Sequence, residues 1–348
     1  MPPAAIYLDH AATAPVLPEV RAAVQAALAD WANPSSVHAA GRRARAALER
    51  ARAEIGEALG WPHEVIFTGS ATEALALAWQ ASHGTRKFAS AVEHTAVLRH
   101  AGDAVLAVDG EGRVDPAALP TADLVAVQQV NNETGVIQPL AAIGAALRAS
   151  ATPWLADCAQ GAGKLALPDA DLVAIAGHKL GAPPGIGALL ARDLALIAPS
   201  GGQERGYRPG TENLPYILGL AVAVKAGRDW LAEAAALRGW WEDEWRALGG
   251  LVVGEGTARL ATIGAYRLPG LAATAMLIRA DAAGIAISAG SACSSGSIRA
   301  SHVLGAMGLG ESEAREVFRV SIGRGTTRAQ LEALLAVAAP LASAKGAA

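Results

Sequence analysis

The chain has 348 residues, 52% of them hydrophobic and 18% charged, with a net charge of −3. That balance can bury a sizeable core in two domains or one large one, and it leaves no basic field for nucleic acid or an anionic membrane surface. Two cysteines, Cys158 and Cys293, make no disulfide framework in a chain this long and point to a reducing compartment.

The first ten residues carry neither the basic nor the apolar stretch of a signal peptide, so a cytoplasmic location is expected. Residues 19–30 and 37–59 read as helices, 65–68 as a strand and 72–81 as a helix. Strands are expected over 87–91, 104–108 and 124–130, a helix over 140–149, and apolar strands over 154–157, from Leu172, and up to Leu190. Strands alternating with helix-length segments predict an α/β fold with a mainly parallel sheet covered on both faces. Ligands of such sheets gather at the C-terminal strand ends. Residues 214–248 form a long helical region whose Trp230, Trp240, Trp241 and Trp245 are packing residues. Its longest apolar run, 217–224, is too short to span a bilayer. The last hundred residues mix strands (262–268, 285–288, 317–322) with helices (272–283, 328–344), as a smaller α+β domain would. The expected division is a large domain over 13–230 and a small one made of 1–12 and 231–348.

The chemistry lies just after the strands. The apolar run from Leu172 ends in Gly177-His178-Lys179 and a Gly/Pro turn. A lysine closing a buried strand is costly unless it has a partner or a covalent task. One strand upstream, Trp154-Leu155-Ala156 ends in Asp157. An amine and a carboxylate on neighbouring strand ends suit pyridoxal phosphate, the lysine forming a Schiff base and the aspartate holding the ring nitrogen protonated.

Other segments admit two explanations each. Gly69-Ser70-Ala71-Thr72-Glu73 is either an anion cradle at a helix start or an ordinary cap made by Thr72. His94 could stack on a cofactor ring and shuttle protons, or cap a helix. Asn131-Asn132-Glu133 could reach a cofactor oxygen, or form an Asx turn. Cys293, in a Gly- and Ser-rich run, suits a nucleophile that travels, or is a tolerated surface thiol. Cys158 is a small core residue. Arg319, on a strand, could clamp a carboxylate or make a surface ion pair.

Taken together these segments resemble the cysteine desulfurases, the NifS/IscS-like enzymes of the class V aminotransferase group. The match runs nearly end to end, from Tyr7-Leu8-Asp9-His10-Ala11-Ala12-Thr13 and Asn33-Pro34-Ser35-Ser36 through Glu93-His94, Asp157-Cys158-Ala159-Gln160 and His178-Lys179 to Gly290-Ser291-Ala292-Cys293. The resemblance implies a fold type I enzyme that depends on pyridoxal phosphate and works as a homodimer with shared active sites. Lys179 would be the Schiff-base lysine and Asp157 the partner of the pyridine nitrogen, with Gln160 beside it. His94 would stack on the ring, and Asn132 would contact its phenolic oxygen and the substrate. Ala71, Thr72 and His178 would hold the cofactor, and Thr211 would reach the phosphate of the neighbouring subunit. Arg319 would bind the substrate carboxylate, and Cys293 would take the sulfur as a persulfide. The implied reaction converts L-cysteine to L-alanine and hands sulfur to an acceptor protein, an iron–sulfur scaffold being one class, with no metal in the site. A selenocysteine lyase, an aminotransferase of the same group and a degenerate paralogue share the scaffold and remain rival readings. Three positions depart from the pattern. His10 stands where Asn is usual, Ala176 replaces a phosphate-binding Ser, and Ala182-Pro183-Pro184-Gly185 lacks the usual lysine.

Overall fold

A computed structural model describes residues 6–290 and 301–343. The apolar runs assemble into a seven-stranded sheet. Its order is Glu64–Thr68, Gly187–Ala191, Leu172–Ala176, Trp154–Asp157, Leu124–Ala126, Lys87–Ser90 and Val105–Leu106. Every hydrogen-bonded pairing is parallel except the two made by Gly187–Ala191, which runs against both neighbours. The Gly/Pro turn after Lys179 explains that exception, because a short link without a crossover helix returns the chain antiparallel.

Both faces of the sheet are covered. Along Leu172–Ala176 the side chains alternate, Val173 and Ile175 joining one core and Leu172 and Ala174 the other. Helices Ala39–Leu59 and Leu214–Lys225 contribute to the first core, and Ala71–Ala81 to the second. All five residues of the strand are buried, as a continuous apolar run in a covered sheet requires.

A second, antiparallel sheet has the order Ser288–Ala289, Val317–Ser321, Ile263–Arg267, Leu251–Val253. Its core is aromatic. Trp241 and Trp245, one helical turn apart, stack at 5.7 Å, and Trp245 meets Phe318 edge-on at 5.2 Å. Adjacent Trp240 is only partly buried and packs against the same core, under the Arg328 guanidinium at 4.4 Å. The N-terminus is woven into this part of the molecule. Ile6–Tyr7 pairs in parallel with Ile285–Ala286, and Asp9 bridges to Ser321, which sets Asp9 beside the strand that carries Arg319.

Three expected elements differ. The helical region 214–248 is two helices, Leu214–Lys225 and Trp230–Ala247, because Ala226 turns to extended backbone ahead of Gly227. The strand expected over 285–288 is two short ones that join different sheets. The strand expected over 124–130 is regular only over Leu124–Ala126, although Val127 and Gln129 still donate to the Leu155 and Asp157 carbonyls, and Gln128, Val130 and Asn132 line the cavity. Among the described residues no helix is long and apolar enough to cross a membrane.

Candidate active site

Lys179 ends the single turn Gly177–Lys179 that follows the strand Leu172–Ala176. Only a bare backbone fits at Gly177, where a Cβ would stand 2.7 Å from the Ile186 side chain and 2.9 Å from its carbonyl oxygen. The turn delivers Lys179 to a cavity of about 440 Å³ at the C-terminal ends of the strands. Burial pulls its amine down to about 8, with Asp157 opposing that and Arg319 adding to it.

Asp157 ends the neighbouring strand, opposite Ala174 in the register, and is 8% exposed. Its Oδ1 accepts the Ala159 N–H at 2.8 Å, which fixes the carboxylate on the cavity wall. Cys158, one residue on, is fully buried, and burial pushes its thiol up, so it is an inert core residue.

The segment that could be an anion cradle or a cap lies where the strand Glu64–Thr68 gives way to the helix Ala71–Ala81. Here the cap is Ser70, whose Oγ accepts the Glu73 N–H at 3.1 Å. The assignment of the cap to Thr72 is therefore corrected. The cap stands two residues earlier, and Thr72 is left beside Ser70 and Ala71 on the cavity wall. A Cβ at Gly187 would come within 2.6 Å of the Ser70 carbonyl carbon, so the helix start rests directly on the sheet. Glu73 accepts the Gly69 N–H and the Arg208 Nε, each at 2.5 Å, and so ties this turn to the loop that bears Thr211. Thr211 itself is exposed and is not on the wall of its own chain's cavity.

His94 takes the capping role. It caps the helix Thr95–Ala101, with Nδ1 accepting the Ala96 N–H at 3.1 Å, and it lines the cavity. The cap leaves the proton of the neutral ring on Nε2, and burial keeps the ring neutral against the pull of Asp157. In the next block the two asparagines divide the work. Asn131 Oδ1 accepts the N–H groups of Glu133 and Thr134, both at 2.9 Å, as an Asx turn does, and that turn presents Asn132 to the cavity.

Arg319 is 6% exposed on the strand Val317–Ser321, so the surface-pair explanation does not apply. One of its terminal nitrogens donates to the Asn132 carbonyl at 2.8 Å and the other to Asp9 Oδ1 at 2.7 Å, and among the described residues Nε has no partner. His178 faces the same space with its ring 3.3 Å from Thr13 Oγ1, and burial and then Lys179 push it down to about 4. Gln160 Nε2 donates to the Ala11 carbonyl at 2.9 Å, whereas its buried Oε1 has no partner. Ala176 packs with Ala71 and Ala159 on the wall and brings no hydroxyl.

Cys293 lies outside the described residues. The nearest described residue before it, Gly290, lines the cavity, and so does His302 after it. Sequence reasoning passed over the anchor on that side. Ser301 Oγ donates to Glu133 Oε2 at 2.6 Å, and the His302 ring meets the Glu93 carbonyl at 2.9 Å. Burial raises both carboxyls, Glu93 most strongly. The available signal was a Ser-His pair closing the Gly/Ser-rich run. Asp9 was missed as the partner of Arg319, although it stands in the opening motif.

These residues fit pyridoxal phosphate. The helix start at Ser70–Thr72 offers N–H groups and hydroxyls to a phosphate. Asp157 offers a fixed carboxylate to a ring nitrogen, Lys179 an amine, and the orphaned Gln160 Oε1 a free polar atom within the same wall. Buried polar atoms without partners are rare in finished structures, so an orphan here supports a missing polar group.

The comparisons with known proteins agree. Residues 6–334 match the family model described as aminotransferase class-V. The chain is 35% identical to the IscS-like cysteine desulfurase of Mycobacterium tuberculosis, over 95% of its own length and 94% of that protein. It is 36% identical to a cysteine desulfurase of Rhodobacter capsulatus, over 96% and 95%. Among solved structures, a NifS-like protein from Rickettsia africae superposes with a TM-score of 0.86 at 31% identity, covering 96% of this chain and 98% of that one. SspA in complex with cysteine superposes with a TM-score of 0.78, also at 31% identity, covering 91% and 98%.

Proposed function

This chain belongs to the class V aminotransferase family, among its cysteine desulfurases, and we propose that it takes sulfur from L-cysteine through Lys179, Asp157, Arg319 and Cys293. The observation that carries the reading is the pairing of a half-buried amine and a buried carboxylate at the ends of adjacent parallel strands, Lys179 and Asp157, in one cavity.

Pyridoxal phosphate, when bound, supplies an electron sink that makes the Cα proton of an amino acid labile. Lys179 would hold it covalently, Asp157 would keep its ring nitrogen protonated, and the Ser70–Thr72 turn would take its phosphate, with Thr211 added by a second copy of the chain in a homodimer. His94, Gln160, Asn132 and His178 complete its surroundings. Arg319, already oriented by Asp9 and Asn132 on the cavity wall, binds the substrate carboxylate. Lys179 Nζ, once free, takes the proton from substrate Cα. The Cys293 thiolate then attacks the substrate sulfur. The new S–S bond forms as the Cβ–S bond breaks, the electron pair stays on carbon and a proton completes alanine. L-Cysteine and the enzyme thiol thus become L-alanine and an enzyme persulfide, which passes sulfur to an acceptor protein.

Cys293→Ala tests that reading. With L-cysteine and a thiol reductant, the protein is expected to release alanine and sulfide in equal amounts, and the variant to lose both by about 10²-fold or more while keeping its cofactor absorbance. Undiminished alanine release in the variant would remove Cys293 from the reaction.

Ala176 makes a second prediction. A serine hydroxyl there would add one hydrogen bond to a charged phosphate, worth about 1.5–3 kcal/mol. Ala176→Ser is therefore expected to hold pyridoxal phosphate about tenfold or more tightly against dialysis. Unchanged or weaker retention would show that the small apolar wall of Ala71, Ala159 and Ala176 is itself the fitted surface.

A further inference from the structure

A second cavity, of about 280 Å³, adjoins the first and shares Ala11, Gln160 and Lys179 with it. Three parts of the fold wall it. The N-terminal segment gives His10 and Leu17, the turn after the Asp157 strand gives Lys164, and Trp230, Thr262 and Arg324 come from the far side. Its size is just below the range of small-molecule sites, about 300–1,000 Å³, and its wall is mostly apolar, as theirs are.

Its charges are of one sign. Among the described residues every ionisable side chain on this wall is a histidine, lysine or arginine, and no carboxylate lines it. Among the described residues Lys164 Nζ has one partner, the Gln160 carbonyl at 3.1 Å, which leaves two of its three donors uncommitted. Burial and the neighbouring Lys179 pull the Lys164 amine down to about 7. Thr262 is 3% exposed, and among the described residues its buried hydroxyl has no hydrogen-bond partner. The Arg324 guanidinium lies 5.2 Å over the Trp230 ring and donates to the Gly227 carbonyl, so it is already engaged. One lysine and one hydroxyl match a single carboxylate, and the apolar remainder would penalise a second charge.

We infer that this cavity is a binding site for a small monocarboxylate with an apolar tail, its carboxylate held by Lys164 and Thr262 and its tail laid against Leu17 and Trp230. Lys179 also lines this cavity, but Lys164 and Thr262, the groups assigned to the carboxylate, have no part in the chemistry proposed for the first.

The test is calorimetric titration of hexanoate, with hexanol as the uncharged control, into the protein as purified. Hexanoate is expected to bind saturably and more tightly than hexanol. Lys164→Met is expected to weaken hexanoate about tenfold and leave hexanol unchanged. Ala226→Leu, which adds bulk to the wall without changing charge, is expected to weaken both. Arg319→Lys is expected to leave hexanoate binding intact. Melting curves check that each variant folds, and Ala226→Leu carries the test if Lys164→Met does not. Absence of saturable hexanoate binding would overturn the inference. So would binding that is lost in Arg319→Lys but kept in Lys164→Met, which would place the ligand in the first cavity. The readout needs no turnover, so its failure leaves the desulfurase reading standing, and an inactive enzyme leaves this site testable.

Discussion

Lys179→Ala is expected to abolish sulfide and alanine release from L-cysteine, by at least about 10³-fold, and to yield a protein without the absorbance of an attached cofactor. The variant should fold, because Lys179 ends a turn and contributes no strand hydrogen bond. Removing an amine that burial has already pulled down should leave the melting temperature equal or higher. The same environment sets a pH dependence in the unaltered protein. Below about 8 the Lys179 amine carries a proton and cannot add to an aldehyde, and above about 8 it is free to do so. Uptake of pyridoxal phosphate by protein stripped of it should therefore quicken as pH rises through about 8 and level off above it. A Lys179→Ala protein that still desulfurated cysteine at an appreciable rate would remove the basis of the proposed mechanism.

Asp157→Asn is the second large effect. Asparagine retains an oxygen for the Ala159 N–H, so the strand end should keep its shape. It loses the negative charge. That charge supports the Lys179 ammonium and would hold a ring nitrogen protonated. The expected loss in kcat is about 10²–10³-fold, the scale of removing one fixed electrostatic group aimed at developing charge. KM should move less, because the substrate carboxylate is assigned to Arg319. The pH at which Lys179 accepts pyridoxal phosphate should shift downward, since the Asp157 contribution that raised it is gone. A variant with unchanged kcat and an unchanged uptake profile would show that Asp157 is only a structural cap.

Much of this was legible in the sequence because parallel-sheet proteins concentrate function in one place. Each strand that ended in a polar residue pointed at the same edge, so Asp157, Lys179, His94 and Asn132 were placed near one another before any coordinates. Burial then decided what the patterns alone left open. Arg319 on its strand could have been a surface residue, and its 6% exposure and its bonds to Asp9 and Asn132 settle that it is not. What the sequence concealed was long-range. The Asp9–Arg319 pair spans nearly the whole chain and arises because the N-terminal segment lies along the small sheet. The Ser301–Glu133 bond is likewise a meeting of distant segments. Local capping was misjudged by two residues, since Ser70 and Thr72 both have the chemistry and only the backbone turn decides between them. The second cavity left no mark in any single motif, because its wall is assembled from segments hundreds of residues apart.

The most direct test of the account is covalent. The protein, loaded with pyridoxal phosphate and reduced with borohydride, is digested and its peptides are mapped by mass spectrometry. The account predicts one pyridoxyl group per chain, on Lys179. A label on Lys164 or another lysine, or no label after loading, would contradict it.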